Sequence, residues 1–314
     1  MRATPRKEAD DVPSRRIGFI GVGNMGGRMA RCLVAAGRPV LAYDRDPEVA
    51  KASGGDVAES VAAVTRDSDV ILLSLPDSTV VEAVVLGEEG VLASCREGQV
   101  VADLSTAAPA STRRIHGLLA ERGVRYVDAG ISGGAAAAEK GALTIMAGGD
   151  AGVLAELEDV FAPIASKVHD MGGPGAGHTA KLLNNFLNAV ALASTAEVMV
   201  AGKKAGLDLD VLLEVLNTSS GVNFATLNRF PKIVHGDYLE GGLTSALMTK
   251  DVTLYLDLAQ QLGVASLNAA GPLASFGLAN NTGYAQKISN RVVDAIGDIS
   301  GGVRVAEPWP VEEN

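Results

Sequence analysis

Between residues 16 and 44 the chain reads strand, glycine turn, helix, strand. An apolar run over 16–20 passes directly into Gly21-Val22-Gly23-Asn24-Met25-Gly26, a helix-like stretch over 25–36 ends at Gly37, and a second apolar run over 39–43 is closed by Asp44. Three glycines alone would say little. Set between a strand and a helix, with a second strand and a terminal acid beyond, they restrict this region to a βαβ unit on a parallel sheet with a place for a dinucleotide. Gly21 allows the tight turn, Gly23 the approach of backbone amides to a pyrophosphate, and Gly26 the close packing of helix on strand. The helix turns its positive N-terminal end to the phosphates, and Val22, Asn24 and Met25 complete the loop around them. Asp44 accepts hydrogen bonds from the adenosine ribose diol and repels a 2′-phosphate, which favours NAD. Arg45 pulls the other way, since a guanidinium pairs with a 2′-phosphate or stacks on adenine, and NADP stays open. Asp46-Pro47-Glu48 has the form of an N-cap, a first-turn proline and an acidic first turn, and is assigned to structure.

The alternation continues downstream. Strand-like runs at 70–75, 100–104, 125–129 and 143–147 are separated by helical stretches at 79–86 and 109–122, the pattern of a mostly parallel sheet with helices on both faces. Beyond residue 175 the periodicity is helical throughout, at 180–205, 208–216, 247–262, 269–279 and 285–296. The expected fold class is α/β: a Rossmann-type, mostly parallel sheet domain over 15–176, then an all-α domain over 177–300 joined to it by a long helix. Flexible tails are expected over 1–14 and 301–314. With 314 residues, 47% of them apolar, the chain can bury two cores. A net charge of −10, without a basic block after residue 16, speaks against nucleic acid or an anionic membrane and for a small-molecule partner. Two cysteines, Cys32 and Cys95, fit neither a disulfide framework nor a metal site and point to a reducing, cytoplasmic compartment. No apolar run is long enough to span a bilayer, and the first fourteen residues lack the apolar centre of a secretory signal.

Gly175 and Gly177 act as breakers before the long helix, whose residues Lys181, Asn184, Asn185 and Asn188 recur at spacings of three and four. They form one polar stripe. Leu182, Leu183, Phe186, Leu187 and Val190 fill the remaining faces and suggest burial all round, so the stripe reads as the lining of a cleft rather than a solvated face. Ligands of open α/β sheets lie beyond the carboxyl ends of the strands. Leu75-Pro76-Asp77, Ser105-Thr106 and Ser132-Gly133-Gly134 stand there. The first two read equally well as turns and helix caps. Two glycines after a strand can aim successive amides at one spot, and with the Ser132 hydroxyl they make an anion nest suited to a carboxylate. His178, at the helix start, reads as a cap or surface residue. His116, His169 and His235 show no metal-ligand spacing, and no metal is implied.

These residues resemble the β-hydroxyacid dehydrogenases, the group containing 3-hydroxyisobutyrate dehydrogenase and tartronate semialdehyde reductase. Four motifs carry the resemblance, in order and spacing, from Arg16 to about Val293: Gly18 to Gly26; Asp103-Leu104-Ser105-Thr106 with Pro109; Asp128 to Gly134 continuing to Gly141-Ala142-Leu143-Thr144; and Gly175-x-Gly177-x-x-x-Lys181-x-x-x-Asn185. Where the family has Pro-Val ahead of Ser-Gly-Gly, this chain has Gly130-Ile131. The resemblance implies that Lys181 is the catalytic lysine, that Ser132, Gly133, Gly134 and Asn185 bind substrate, that Leu75, Pro76 and Thr106 lie along the cofactor, and that Lys250 stands near the nicotinamide end. It also implies a homodimer or homotetramer built largely on the helical domain.

Oxidising a 3-hydroxy acid needs a hydride acceptor and a base for the hydroxyl proton. Lys181 is the best candidate base. A free lysine titrates near ~10.4, too high for proton exchange at neutral pH, so its site must lower that value. Burial against Leu182 and Phe186, the helix N-terminus and Lys250 would all act in that direction. The substrate expected is a small carboxylate, 3-hydroxyisobutyrate-like, or its semialdehyde, with NAD preferred. Residues 217–224, with Ser219-Ser220-Gly221, fall where the family's substrate-facing loop lies, and Phe224 is a candidate pocket wall. Alternatives are a semialdehyde or imine reductase using NADPH, and a catalytically silent NAD(P)-binding protein. Relatives that reduce imines lack the lysine, and a silent protein would have lost Lys181 or Ser-Gly-Gly.

Overall fold

The computed structural model describes residues 15–150 and 152–306. Eight strands form one sheet: β1 (Ile17–Ile20), β2 (Val40–Tyr43), β3 (Asp56–Val57), β4 (Val70–Leu73), β5 (Val100–Asp103), β6 (Arg125–Ser132), β7 (Leu143–Gly148) and β8 (Ala165–Asp170), in the order β3-β2-β1-β4-β5-β6-β7-β8. Every residue of β1, β4 and β5 is buried, because helices cover both faces and a strand shielded on both sides reads as a continuous apolar run. Alternate residues serve the two layers. Phe19, Leu72 and Ala102 join one core, and Ile20, Leu73 and Val101 the other. Strand β1 pairs in parallel with both β2 and β4, so the chain order reverses about β1 and a crevice opens beyond the carboxyl ends of these strands.

Two strands escape a reading of pattern. The β3 bridge is two exposed residues, and β8 is exposed along all but its first residue, so neither carries an apolar signature. Strand β7 runs antiparallel to β6, while β8 returns parallel to β7. Asp46 caps the Pro47–Lys51 helix, its side chain accepting from the Glu48 amide.

The long helix spans Ala176–Lys204 and starts earlier than expected. Gly175 is its N-cap at φ 86°, whereas Gly177 lies inside it rather than ahead of it. A Cβ at Gly177 would come within 2.4 Å of the Asp128 and Met146 carbonyl oxygens. Glycine is there because the helix starts directly against the backbone of β6 and β7. Beyond it a third core gathers around Leu192, Met199, Phe230, Met248, Phe276 and Val292. The stretch 285–296 is not one helix. A π turn over Asn280–Tyr284, broken at Gly283 with φ 96°, and a 3-10 turn at Ser289–Arg291 precede the helix Val292–Ile299. Short helices Phe224–Asn228 and Phe230–Ile233 occupy what reads as loop. Val305 and Ala306, within the stretch read as a C-terminal tail, are buried in the helical core. The tail over 1–14 and residues 307–314 lie outside the described residues. Among the described residues no helix is long and apolar enough to cross a membrane.

Candidate active site

A cleft of about 2060 Å³ runs from the glycine loop to the polar stripe of the long helix. That is roughly twice the upper end of an ordinary small-ligand pocket, room for a dinucleotide with a small acid beyond it. At its sheet end Gly21 turns at φ 83° and donates to the Tyr43 carbonyl at 2.9 Å, and a Cβ there would meet the Ser74 oxygen at 2.5 Å. A Cβ on Gly26 would come within 2.0 Å of the Gly21 oxygen, while the Cβ position of Gly23 is open to the cleft. No side chain caps the helix Gly26–Ala35 that follows. Such an uncapped, glycine-walled start to a helix is a cradle suited to a diphosphate. Asp44 Oδ2 accepts from the Val22 amide at 3.0 Å and Oδ1 from the Asp46 amide at 3.2 Å, so the acid ties the glycine loop to the end of β2 while lining the cleft. Asn24 and Met25 line it too, and so does the exposed Arg45.

Farther along, Leu75, Pro76 and Thr106 rim the cleft. Ser105 is no helix cap; its hydroxyl accepts from the Leu75 amide at 2.9 Å and joins two strand ends. Asp77 does cap, holding the Val80 amide. Lys250, on the helix Ser245–Gln261, donates to the carbonyl oxygens of Pro76 at 3.0 Å and Thr106 at 3.1 Å. It clasps the helical half of the molecule to the sheet half.

Ser132 ends β6, and Gly133 and Gly134 follow at φ 128° and 67° into the helix Gly134–Glu139. Positive φ at two successive residues needs glycine. All three line the cleft, as do Lys181 and Asn185. Lys181 is 9% exposed. Burial draws its amine down to about 8, the Asp251 carboxylate opposing the fall and the Lys250 charge adding to it. Gly130 stands against this lysine: a Cβ there would lie 2.6 Å from Lys181 Cβ.

Asp251 went unread in the sequence. Only 1% exposed, it accepts from Asn185 Nδ2. Lys250 Nζ lies 3.0 Å from its Oδ1, an ion pair out of line for a hydrogen bond because the amine is turned to Pro76 and Thr106. Asp251 thus orients the carboxamide and opposes the depression of the lysine. A signal did exist, an acid set between Met248 and Val252 on the buried face of its helix.

Other residues of the sequence reading fall elsewhere. His178 is neither cap nor surface residue: it is fully buried, its Nδ1 2.7 Å from Thr112 Oγ1 and its Nε2 3.3 Å from the Asp103 oxygen, behind the cleft. The helix start is held instead by Asp128, which accepts from the amides of Gly175 at 2.8 Å and His178 at 2.7 Å. The long helix is not buried all round, since Leu183 and Leu187 are 47% and 69% exposed. Asn188 lines the cleft, as does Phe224, whereas Ser219, Ser220 and Gly221 do not. No group of three metal-ligating side chains occurs among the described residues.

Residues 16–173 match the family model described as the NAD binding domain of 6-phosphogluconate dehydrogenase, and residues 175–294 the one described as NAD-binding of NADP-dependent 3-hydroxyisobutyrate dehydrogenase. The chain is 38% identical to 2-(hydroxymethyl)glutarate dehydrogenase of Eubacterium barkeri over 251 residues, 79% of this chain and 83% of that one. It is 36% identical to NAD-dependent L-serine dehydrogenase of Pseudomonas aeruginosa over 283 residues, 87% of this chain and 95% of that one. Among solved structures, Mycobacterium tuberculosis 3-hydroxyisobutyrate dehydrogenase with L-serine superposes with a TM-score of 0.80 at 28% identity, covering 90% of this chain and 99% of that one.

Proposed function

The chain belongs to the β-hydroxyacid dehydrogenase family and is a hydroxyacid dehydrogenase using NAD or NADP; from that premise we propose that it interconverts a small 3-hydroxy acid and its semialdehyde, with Lys181 moving the proton and NAD preferred. The observation that carries this reading is the buried Lys181 amine, held down to about 8, in the cleft that the Ser132-Gly133-Gly134 turn also lines. L-serine, 3-hydroxyisobutyrate and 2-(hydroxymethyl)glutarate, the acids named for the relatives, share a hydroxymethyl group on the carbon bearing the carboxylate. They differ in that carbon's other substituent.

In the forward direction the neutral Lys181 amine takes the hydroxyl proton while the C–H electron pair leaves as hydride, and the alcohol carbon becomes an aldehyde. A bound nicotinamide supplies the hydride acceptor. The Ser132 hydroxyl and the amides of the glycine turn hold the carboxylate, and Asn185, one Nδ2 hydrogen fixed on Asp251, offers the other to the oxygen of the reacting hydroxyl. For the reverse reaction the same lysine returns the proton. Oxidation therefore requires the free amine and should rise as pH passes upward through about 8; reduction requires the ammonium and should fall across the same range. Asp44 supports the preference for NAD.

The exposed Leu183, Leu187 and Val198 of the long helix, with Val211 and Val215 beside it, are surface for a second copy of the chain, as a homodimer or homotetramer. Light scattering that returns a monomer mass would remove that part. A cytoplasmic setting, with Cys32 and Cys95 as free thiols, belongs to the same proposal. The test of function is a panel of 3-hydroxy acids and their semialdehydes, followed through NADH and NADPH absorbance from about pH 6 to 10. Turnover of a hydroxymethyl carboxylate that follows a midpoint near 8 is expected. No turnover of any member, or rates flat with pH, would overturn the reading.

A further inference from the structure

The polar stripe of the long helix ends at a guanidinium with no anion. Arg229, between the short helices Phe224–Asn228 and Phe230–Ile233, donates to Asn290 Oδ1 at 2.9 Å and to Asn188 Oδ1 at 3.0 Å. The Phe224 ring centre lies 5.7 Å from its central carbon. Among the described residues no carboxylate pairs with it. Two amide oxygens satisfy some of its hydrogens but leave the charge of this half-buried side chain uncompensated, and a partly desolvated charge without a counter-ion carries a cost. Burial draws its pKa down to about 10, which leaves it cationic at neutral pH. Bracing two asparagines needs no charge, since a neutral amide could donate to both.

Its position supplies the reason for the charge. Arg229 lines the same cleft as Lys181, Asn185 and Ser132. Its partner Asn188 lies about one turn, roughly 4.5 Å, beyond Asn185 on the same helix face. The nearby acids of the cleft are engaged elsewhere or hold no contact with it: Glu240 pairs with Arg291 at 3.2 Å, and Asp237 accepts from the Leu239 amide at 2.9 Å. We propose that Arg229 receives a second carboxylate of the substrate, so that the preferred 3-hydroxy acid is a dicarboxylate whose C2 substituent is a short methylene chain ending in an acid. This rests on the function proposed above. The glycine turn holds one carboxylate, Lys181 meets the hydroxyl, and the planar fork of Arg229, held on Asn188 one turn beyond Asn185, takes the far carboxylate.

The test compares kcat/KM of the intact enzyme on 2-(hydroxymethyl)glutarate, on its distal monoamide, and on 3-hydroxyisobutyrate. The amide has the same shape without the charge. Wild type should prefer the dicarboxylate over the amide at least about tenfold, the range of a charge-assisted hydrogen bond. Arg229→Met should cut that ratio by at least about tenfold and Arg229→Lys should keep part of it. Equal rates on diacid and amide in wild type, a result independent of how any variant folds, would overturn the proposal, as would an unchanged ratio in Arg229→Met. Turnover of all three acids alike sinks this inference and leaves the dehydrogenase reading standing. Failure to oxidise any of the three while another 3-hydroxy acid of the panel turns over sinks this inference alone, and failure across the whole panel sinks both.

Discussion

The two ends of the cleft are made of different material. The Asp44 end is shaped by glycines that touch other backbone: a Cβ on Gly26 would run into the Gly21 oxygen at 2.0 Å. At the Lys181 end the working groups are side chains on helices, and their properties come from one another, as Asp251 orients Asn185 while opposing the depression of Lys181. The first end is specified by shape and tolerates little change of geometry. The second is specified by charge and burial, and can be retuned residue by residue. The Lys250 clasp to Pro76 and Thr106 mixes the two.

The sharpest break of this comparison removes the amine. Lys181→Ala touches nothing in the glycine loop, so NAD affinity measured by fluorescence titration should hardly move while turnover falls by at least about 10²-fold, the usual share of a general acid/base. A variant keeping more than a tenth of wild-type turnover would end the assignment. Next comes Ser132→Ala, where backbone and side chain share one ligand. If the hydroxyl bonds a carboxylate, substrate binding should weaken by roughly 1.5–3 kcal/mol, and the methyl ester of the acid should lose comparably in wild type. Equal turnover of acid and ester would refute the carboxylate anchor.

How much of this could be read in advance divides along the same line. The glycine turn was legible because φ 83° at Gly21 and the close approach at Gly26 admit one residue type, and such demands leave fixed spacings in a sequence. The sheet was legible where strands are buried on both faces, and β8, exposed along five of its six residues, was not. Lys181 and Asn185 announced themselves as polar residues on an apolar helix. Asp251 did not, because its meaning depends on a contact 66 residues away in the chain. His178 was misread because a histidine near a helix start is usually wet, and here tertiary packing on Thr112 and Asp103 buries it. Gly130 looked like a mere departure from the family pattern; in the fold it leaves Lys181 room against β6.

Within the side-chain end, Asp251→Asn removes the negative charge beside Lys181 while keeping an acceptor for Asn185. The carboxylate raises the lysine's pKa against the pull of burial, so its loss should lower that pKa further below about 8. The rising limb of kcat/KM for oxidation should move to lower pH. A purely structural part for Asp251 would depress the plateau and leave the midpoint in place, and that outcome would remove it from the electrostatics of the site.

The smallest effect belongs to the Asp44 end. Asp44→Ala should relax the preference for NAD over NADP by up to about tenfold, chiefly through the Michaelis constant of the cofactor, because it removes binding shared by ground and transition states. Asp44 also holds the Val22 amide at 3.0 Å, so the alanine variant loosens the glycine loop and should raise the constants for both cofactors. Asp44→Asn separates the two effects: it keeps an acceptor for Val22 and removes the charge that repels a 2′-phosphate. A ratio relaxed in both variants assigns the preference to charge. A ratio relaxed in alanine alone assigns it to the loop. If wild type uses NADP as efficiently as NAD, the neighbouring Arg45 outweighs Asp44, and this end of the cleft is also specified by a side-chain charge.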